Sequence, residues 1–155
     1  GYANANDAHH QTASSPDGTG AFLAMSKALD MSGLKPGAID YINVHGTGTQ
    51  NNDLSEGVAM ERIFGADVPY FSSTKGFTGH TLGAAGAVEA VISVLSINNR
   101  TIFPNLNFTT PMKELKVEPV RKLLTGIDIV HVLSNSFGFG GNNSAVVLTK
   151  NLAQN

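Results

Sequence analysis

The sequence predicts a mixed α/β sheet covered by helices, and three observations carry that prediction. Runs with helical periodicity alternate with short runs rich in β-branched and aromatic residues. Three of the β-rich runs open into glycine-rich loops, after Val44, after Phe71 and after Val132. The last two extended runs are close enough in sequence to form a terminal hairpin. Such alternation is the pattern of a sheet with helices packed on it.

Taken in order, Gly1 to Pro16 reads as a polar loop. Its adjacent His9 and His10 cannot face one way on a regular element, which argues against a shared metal site. Thr19 to Met31 predicts a helix, with Phe22, Met25, Ala28 and Leu29 along one side and Gly33 at its end. After a Pro36-Gly37 turn, Ile39 to His45 predicts a buried strand that breaks at Gly46-Thr47-Gly48-Thr49. Asp53 is placed to cap a second helix, Leu54 to Phe64, which stops at Gly65. Val68 to Ser73 predicts another short strand, and Thr101 to Asn107 an extended segment interrupted by Pro104. Residues 108 to 126 read as irregular, because Pro111 and Pro119 exclude long helices. Ile127 to Asn135 and Ala145 to Thr149 predict two strands joined by Ser136 to Asn143, a linker too long for a two-residue turn.

The stretch from Ser72 to Ile92 organises the rest. A strand end leads to a loop with Lys75 and His80, then to a helix that opens Gly83-Ala84-Ala85-Gly86-Ala87. A helical glycine costs about 1 kcal/mol relative to alanine, so two need a reason, and close approach of a neighbour supplies one. Ala87 to Ile97 is almost wholly apolar, with Glu89 the sole charge before Arg100, which predicts a helix buried on most faces. His45 ends one glycine-loop strand and His80 lies in the loop after another. Either alone reads as a hydrogen-bonded core or rim histidine. Together, beside glycine-rich loops and Lys75, they form a candidate site. Two neutral imidazoles aimed at one carbonyl oxygen would stabilise an enolate or oxyanion as charge develops. Lys75 could orient a histidine or set its protonation. The hydroxyls of Thr47 and Thr49 could bind an amide-containing arm, or cap local backbone.

Composition narrows the classes. The length predicts one domain with a real core. Charged residues make up only 14%, low for a small monomer, so part of the surface is expected to be covered by a partner or by more of the same polypeptide. The start at Gly1 suggests a fragment or a processed product. A net charge of −2 without like-charge runs argues against nucleic acid and membrane partners. The basic residues Lys113, Lys116, Arg121 and Lys122 read as a solvated face. No apolar run is expected to reach membrane-spanning length. With no cysteine there is no disulfide or thiolate metal site, and no metal is expected. Ser72-Ser-Thr-Lys75 matches the S-x-x-K pattern of penicillin-recognising enzymes, but no K-T-G follows. Gly138-Phe-Gly-Gly141 lacks the remainder of a dinucleotide or P-loop pattern.

Three blocks together are specific. Asn43-Val-His-Gly-Thr-Gly-Thr49, Lys75-Gly-Phe-Thr-Gly-His-Thr-Leu-Gly-Ala-Ala-Gly86 and Asn135-Ser-Phe-Gly-Phe-Gly-Gly141 strongly resemble the β-ketoacyl-acyl carrier protein synthases, most closely the elongating type II form of fatty acid synthesis. Asp7-Ala-His-His10 also looks like that family's entry into its C-terminal half. The resemblance spans the whole chain, residues 1–155, as a C-terminal domain. It implies the C-terminal half of a thiolase-like fold, a mixed five-stranded sheet with helices on both faces. It also implies decarboxylative condensation of an acyl thioester with malonyl-acyl carrier protein by a cytoplasmic dimer. No cofactor is implied beyond the phosphopantetheine of the carrier. By motif, His45 and His80 would hold the malonyl thioester carbonyl, and Lys75 would support the second histidine. Phe139 would be the gate and its N–H part of the oxyanion hole. Thr47 and Thr49 would contact the phosphopantetheine arm, and Glu89 would be a buried structural carboxylate, with Asn135 also structural near the site. Asn142 departs from the family's usual threonine.

The family's nucleophilic cysteine lies in its N-terminal half, and this chain has no cysteine. Ser136 reads as a loop residue with no helix behind it to activate it. The chain alone is therefore expected to be inactive and to need that N-terminal half. Two rivals remain: a nucleophile-lacking paralogue, and a non-catalytic module that binds acyl carrier protein.

Overall fold

The structure is a computed structural model that describes residues 1–151. Its elements are β1 (Tyr2–Asn6), α1 (Thr19–Ser32), β2 (Tyr41–Asn43), α2 (Gln50–Phe64), β3 (Tyr70–Ser72), α3 (Lys75–Thr78), α4 (Ala85–Asn99), β4 (Thr101–Ile102), β5 (Leu124–Thr125), β6 (His131–Gly138) and β7 (Asn142–Thr149). The main sheet has five strands in the order β1-β7-β6-β2-β3. β6, β2 and β3 run parallel, and β7 and β1 complete the sheet antiparallel. β4 and β5 pair separately. The mixed five-stranded sheet with helices on both faces is as expected.

Alternation along the strands sends side chains to two different cores. Ile42, Leu133, Ala145 and Val147 face α1 and α2, where they meet Ala21, Met25, Ala28, Ala59 and Met60. Tyr41 and Val132 face the other way, with Ile97 of α4 and Ile102 and Ile129. The β2 run is a buried strand as predicted, though its ladder is confined to three residues. α1 ends where predicted, with Gly33 left-handed at φ 71° and its N–H on the Asp30 carbonyl.

Five local expectations are corrected. The polar start is a strand: β1 pairs with β7 from Tyr2↔Val146 to Asn6↔Asn142, so ladder bonds compensate for a segment poor in β-formers. α2 starts four residues before Leu54, with Thr49 as its N-cap accepting the Asn52 N–H at 3.4 Å, and Asp53 falls in the first turn. The 136–143 linker is mostly strand. β6 and β7 stay paired to Gly138↔Asn142, around a Phe139–Gly141 turn in which Gly140 and Gly141 both have positive φ. Ser136 is therefore a strand residue.

The fourth and fifth corrections concern α4. It is not buried on most faces: Glu89, Ser93 and Ser96 point inward while Val91 (60% exposed), Val94 and Leu95 point outward. Leu82–Asn99 also proves long and apolar enough by length and composition to cross a membrane, against expectation. Its polar stripe packs on the sheet, where the Asn43 amide donates to the Glu89 carbonyl at 3.2 Å, so it serves here as a covering layer.

Candidate active site

The parallel strands β2, β3 and β6 end on one side of the sheet, and the candidate residues gather in the loops there. His45 follows β2 and is 4% exposed. His80 lies between α3 and α4, and the two rings meet edge to face with centroids 5.2 Å apart. Phe137 of β6 packs on His45 at 5.5 Å.

Hydrogen bonds define the tautomers. The Leu82 N–H donates to His80 Nδ1 at 3.1 Å, so the proton of a neutral His80 sits on Nε2. This backbone donor is aimed by a strained residue, since Leu82 has φ 52°. Lys75 was expected to support the second histidine, His80, but its Nζ stands 3.4 Å from His45 Nδ1 and donates to the His45 carbonyl at 2.5 Å, because α3 lays the side chain along the loop after β2. An ammonium carries no acceptor, so Nδ1 must accept and Nε2 again holds the proton. Burial first, then the charge of Lys75 and the neighbouring His80, push the His45 pKa down to about 3. His45 is neutral through the physiological range. Two imidazoles with free Nε2–H donors are side by side.

Lys75 opens the one-turn helix α3 and forms a buried ion pair with Glu89. Ser136 Oγ donates to the other Glu89 oxygen at 2.7 Å. Glu56 is a site residue that the sequence reading does not single out. This buried carboxylate of α2 accepts the His45 N–H on Oε1 and the Gly46 N–H on Oε2, both at 2.9 Å. Asn135 donates to Oε1 as well, at 3.0 Å. Burial raises the Glu56 pKa. Gly46 has φ +41°, and a Cβ there would overlap Ser73, so the turn that presents both N–H groups to Glu56 requires glycine. A charged residue on an apolar helix face was the available signal.

The remaining predicted residues are placed as follows. Glu89 and Asn135 are buried beside the cluster. Thr47 and Thr49 share a hydroxyl contact of 3.0 Å, and Thr49 also caps α2. Phe139 is 76% exposed at the β6–β7 turn, and it is Phe137 that packs on His45. Asn142 bonds across that turn, its amide donating to the Phe139 carbonyl at 3.0 Å. Two clefts flank the cluster. One of about 530 Å³ is lined by Thr47, Lys75 and His80, and one of about 380 Å³ by His45, Ser136 and Phe137.

The chain is similar to several known proteins. Residues 1–109 match the family model described as "Beta-ketoacyl synthase, C-terminal domain". The chain is 41% identical over 152 residues to 3-oxoacyl-[acyl-carrier-protein] synthase 2 of Staphylococcus aureus (strain COL), covering 97% of this chain and 37% of that protein. It is 45% identical to the protein of the same name from Rhizobium meliloti (strain 1021), covering 97% and 36%. A β-ketoacyl synthase structure from Burkholderia phymatum STM815 superposes with a TM-score of 0.89 at 33% identity, covering 97% and 36%. A chain from a type II PKS acyl-carrier protein in complex with its ketosynthase does so at 0.91 and 31%, covering 96% and 37%. The chain thus spans little more than a third of the length of the relatives it matches.

Proposed function

The chain belongs to the β-ketoacyl synthase family, as a C-terminal domain of the thiolase-like fold, and from that premise we propose that it supplies the histidine pair, lysine and gate of a fatty-acid-elongating 3-oxoacyl-[acyl carrier protein] synthase. The observation that carries this reading is the pair of neutral imidazoles 5.2 Å apart, each with Nδ1 occupied and Nε2–H free. Aimed at a malonyl thioester oxygen, the two donors stabilise the charge that develops as CO2 leaves. The bond to the carboxylate breaks, and its electron pair passes into the thioester as an enolate. The enolate carbon attacks an acyl thioester held on a cysteine and expels the thiolate. His45 takes no proton in this step; its depressed pKa keeps it a neutral donor.

The nucleophile comes from outside the chain, which has no cysteine. A second, cysteine-bearing domain fits the outward apolar strip of α4, formed by Val91, Val94 and Leu95, which needs cover. Thr47 and Thr49 serve the phosphopantetheine arm, and Phe139, exposed at a glycine-rich turn, serves as gate and oxyanion donor. The assembled enzyme is a cytoplasmic homodimer that draws acyl and malonyl groups from acyl carrier protein, without a further cofactor. The test is CO2 release and condensation from malonyl-acyl carrier protein, by the chain alone and with the cysteine-bearing domain. Activity restored by mixing, and lost in His80→Ala, is expected. An inert mixture of demonstrably associated domains overturns the reading.

A further inference from the structure

We infer that Ser136 is a positioning residue for the histidine pair, acting through Glu89 and Lys75. This rests on the function proposed above. Lys75 has three N–H donors, and three acceptors surround it: Glu89 Oε1, the His45 carbonyl and His45 Nδ1. The bond to His45 Nδ1, at 3.4 Å, is the longest of the three and the easiest to lose. It is also the one that fixes the tautomer. A carboxylate has two oxygens that can both draw an ammonium. Here Glu89 Oε2 is occupied by the Ser136 hydroxyl at 2.7 Å, which leaves Oε1 alone for Lys75.

The sequence makes room for this contact. Ser136 lies on β6 and Glu89 on α4, and Gly86 is the α4 residue between them. A Cβ at Gly86 would stand 3.1 Å from Ser136 Oγ, tighter than an ordinary contact. Gly83, three residues earlier, would meet nothing within 4 Å. One of the two helical glycines thus has its reason: close approach of the serine hydroxyl. Without that hydroxyl, Glu89 Oε2 is free to take a second Lys75 proton and pull the ammonium off Nδ1. His45 then loses both its tautomer lock and the nearby positive charge that opposes its protonation.

The experiment uses the enzyme assembled with its cysteine-bearing domain. It compares Ser136→Ala, Gly86→Ala and Glu89→Gln, alone and in combination. Ser136→Ala is expected to lower kcat for malonyl decarboxylation about tenfold, the effect of one hydrogen bond to a charged group, with KM unchanged. The acid limb of its pH profile moves toward neutral pH. The titrating and charged groups that face Lys75 and Glu89 are His45, His80, Glu56 and Tyr41, and of these His45 is the one in contact with the ammonium. Gly86→Ala, which crowds the hydroxyl without removing it, is expected to act in the same direction. In the Glu89→Gln background, Ser136→Ala adds nothing further. A Ser136→Ala enzyme with unchanged kcat and pH profile overturns the proposal. So does a loss that only tracks the folded fraction, and so do additive effects with Glu89→Gln. The ¹⁵N shifts of the His45 ring report the tautomer independently of turnover. If the unsubstituted enzyme releases no CO2, the functional reading fails, while a Ser136→Ala shift of the His45 ring nitrogens still decides the relay.

Discussion

The two faces of the sheet are built on opposite rules. Toward α1 and α2 the interior is apolar, with Met25, Ile42, Leu133 and Ala59 fully enclosed. Among its buried polar residues, Glu56 and Asn135 bond to one another. Toward α4 the interior carries Asn43, Glu89, Ser93 and Ser96, all buried, while Val91 and Leu95 look outward. Burial of apolar surface holds the first face. The second holds polar groups that a stability argument alone would not bury. Those groups lead, through Lys75 and Ser136, to the histidine pair. The α4 face thus joins an apolar cluster around Tyr41 and Val132 to polar groups that reach the site.

That contrast can be broken from either side. The largest effect is expected at the chemistry: His80→Ala should cut decarboxylation by the assembled enzyme about 10²–10³-fold, the usual cost of one oxyanion donor, while leaving the melting temperature nearly unchanged. CO2 release and calorimetry on the same sample check both halves. Leu133→Ala should do the reverse, costing about 2–5 kcal/mol in urea unfolding through the cavity it leaves on the α1 and α2 face.

Glu56→Gln tests a group shared by fold and site. The amide can still accept from one backbone N–H but offers the other a donor, so a loss of about 1–3 kcal/mol is expected together with lower kcat. Equal loss of stability without a kinetic change would confine Glu56 to the fold.

The pH dependence follows from His45. Its pKa is about 3 in the fold against an ordinary 6.5, so below about 6.5 the unfolded chain binds a proton that the folded chain refuses. The full stability is present above that point and falls as pH drops toward about 3, by at most about 1.4 kcal/mol per pH unit. Glu56 works in the opposite sense. Its raised pKa gives stability that is present at low pH and lost as pH rises through the folded value. The unfolding difference between the protein and His45→Gln isolates the imidazole, and a flat difference across this window would contradict its burial as a neutral ring. The smallest effect on folding is expected from Val91→Asp, within about 0.5 kcal/mol for an exposed position. The same change should weaken association with the cysteine-bearing domain, read by analytical ultracentrifugation.

Much of this was legible from residues. The helix over Thr19–Met31, the break after His45 and the glycine-rich start of α4 follow from periodicity and glycine placement. His45, His80 and Lys75 were grouped because two histidines and a lysine lie beside glycine-rich loops that follow strands, whereas Glu89 was singled out only by the family resemblance. β1 was not legible, since Tyr-Ala-Asn-Ala-Asn has weak strand propensity and is held by its ladder with β7. α4 was misread because an apolar run is silent about which side faces the sheet. Glu56 was missed because its partners, the N–H groups of His45 and Gly46 and the amide of Asn135, come from β2 and β6.

By itself the sequence determined most of the helices and central strands and several of the side chains that can carry the chemistry, because propensity, capping and glycine placement act over a few residues. The tertiary structure alone decided that Leu82 aims its N–H at His80 and that Glu56 braces His45. It also decided that Ser136 and Lys75 divide the two oxygens of Glu89. Contacts across tens of residues depend on which loops the parallel strands bring to one edge, and no local rule encodes that meeting.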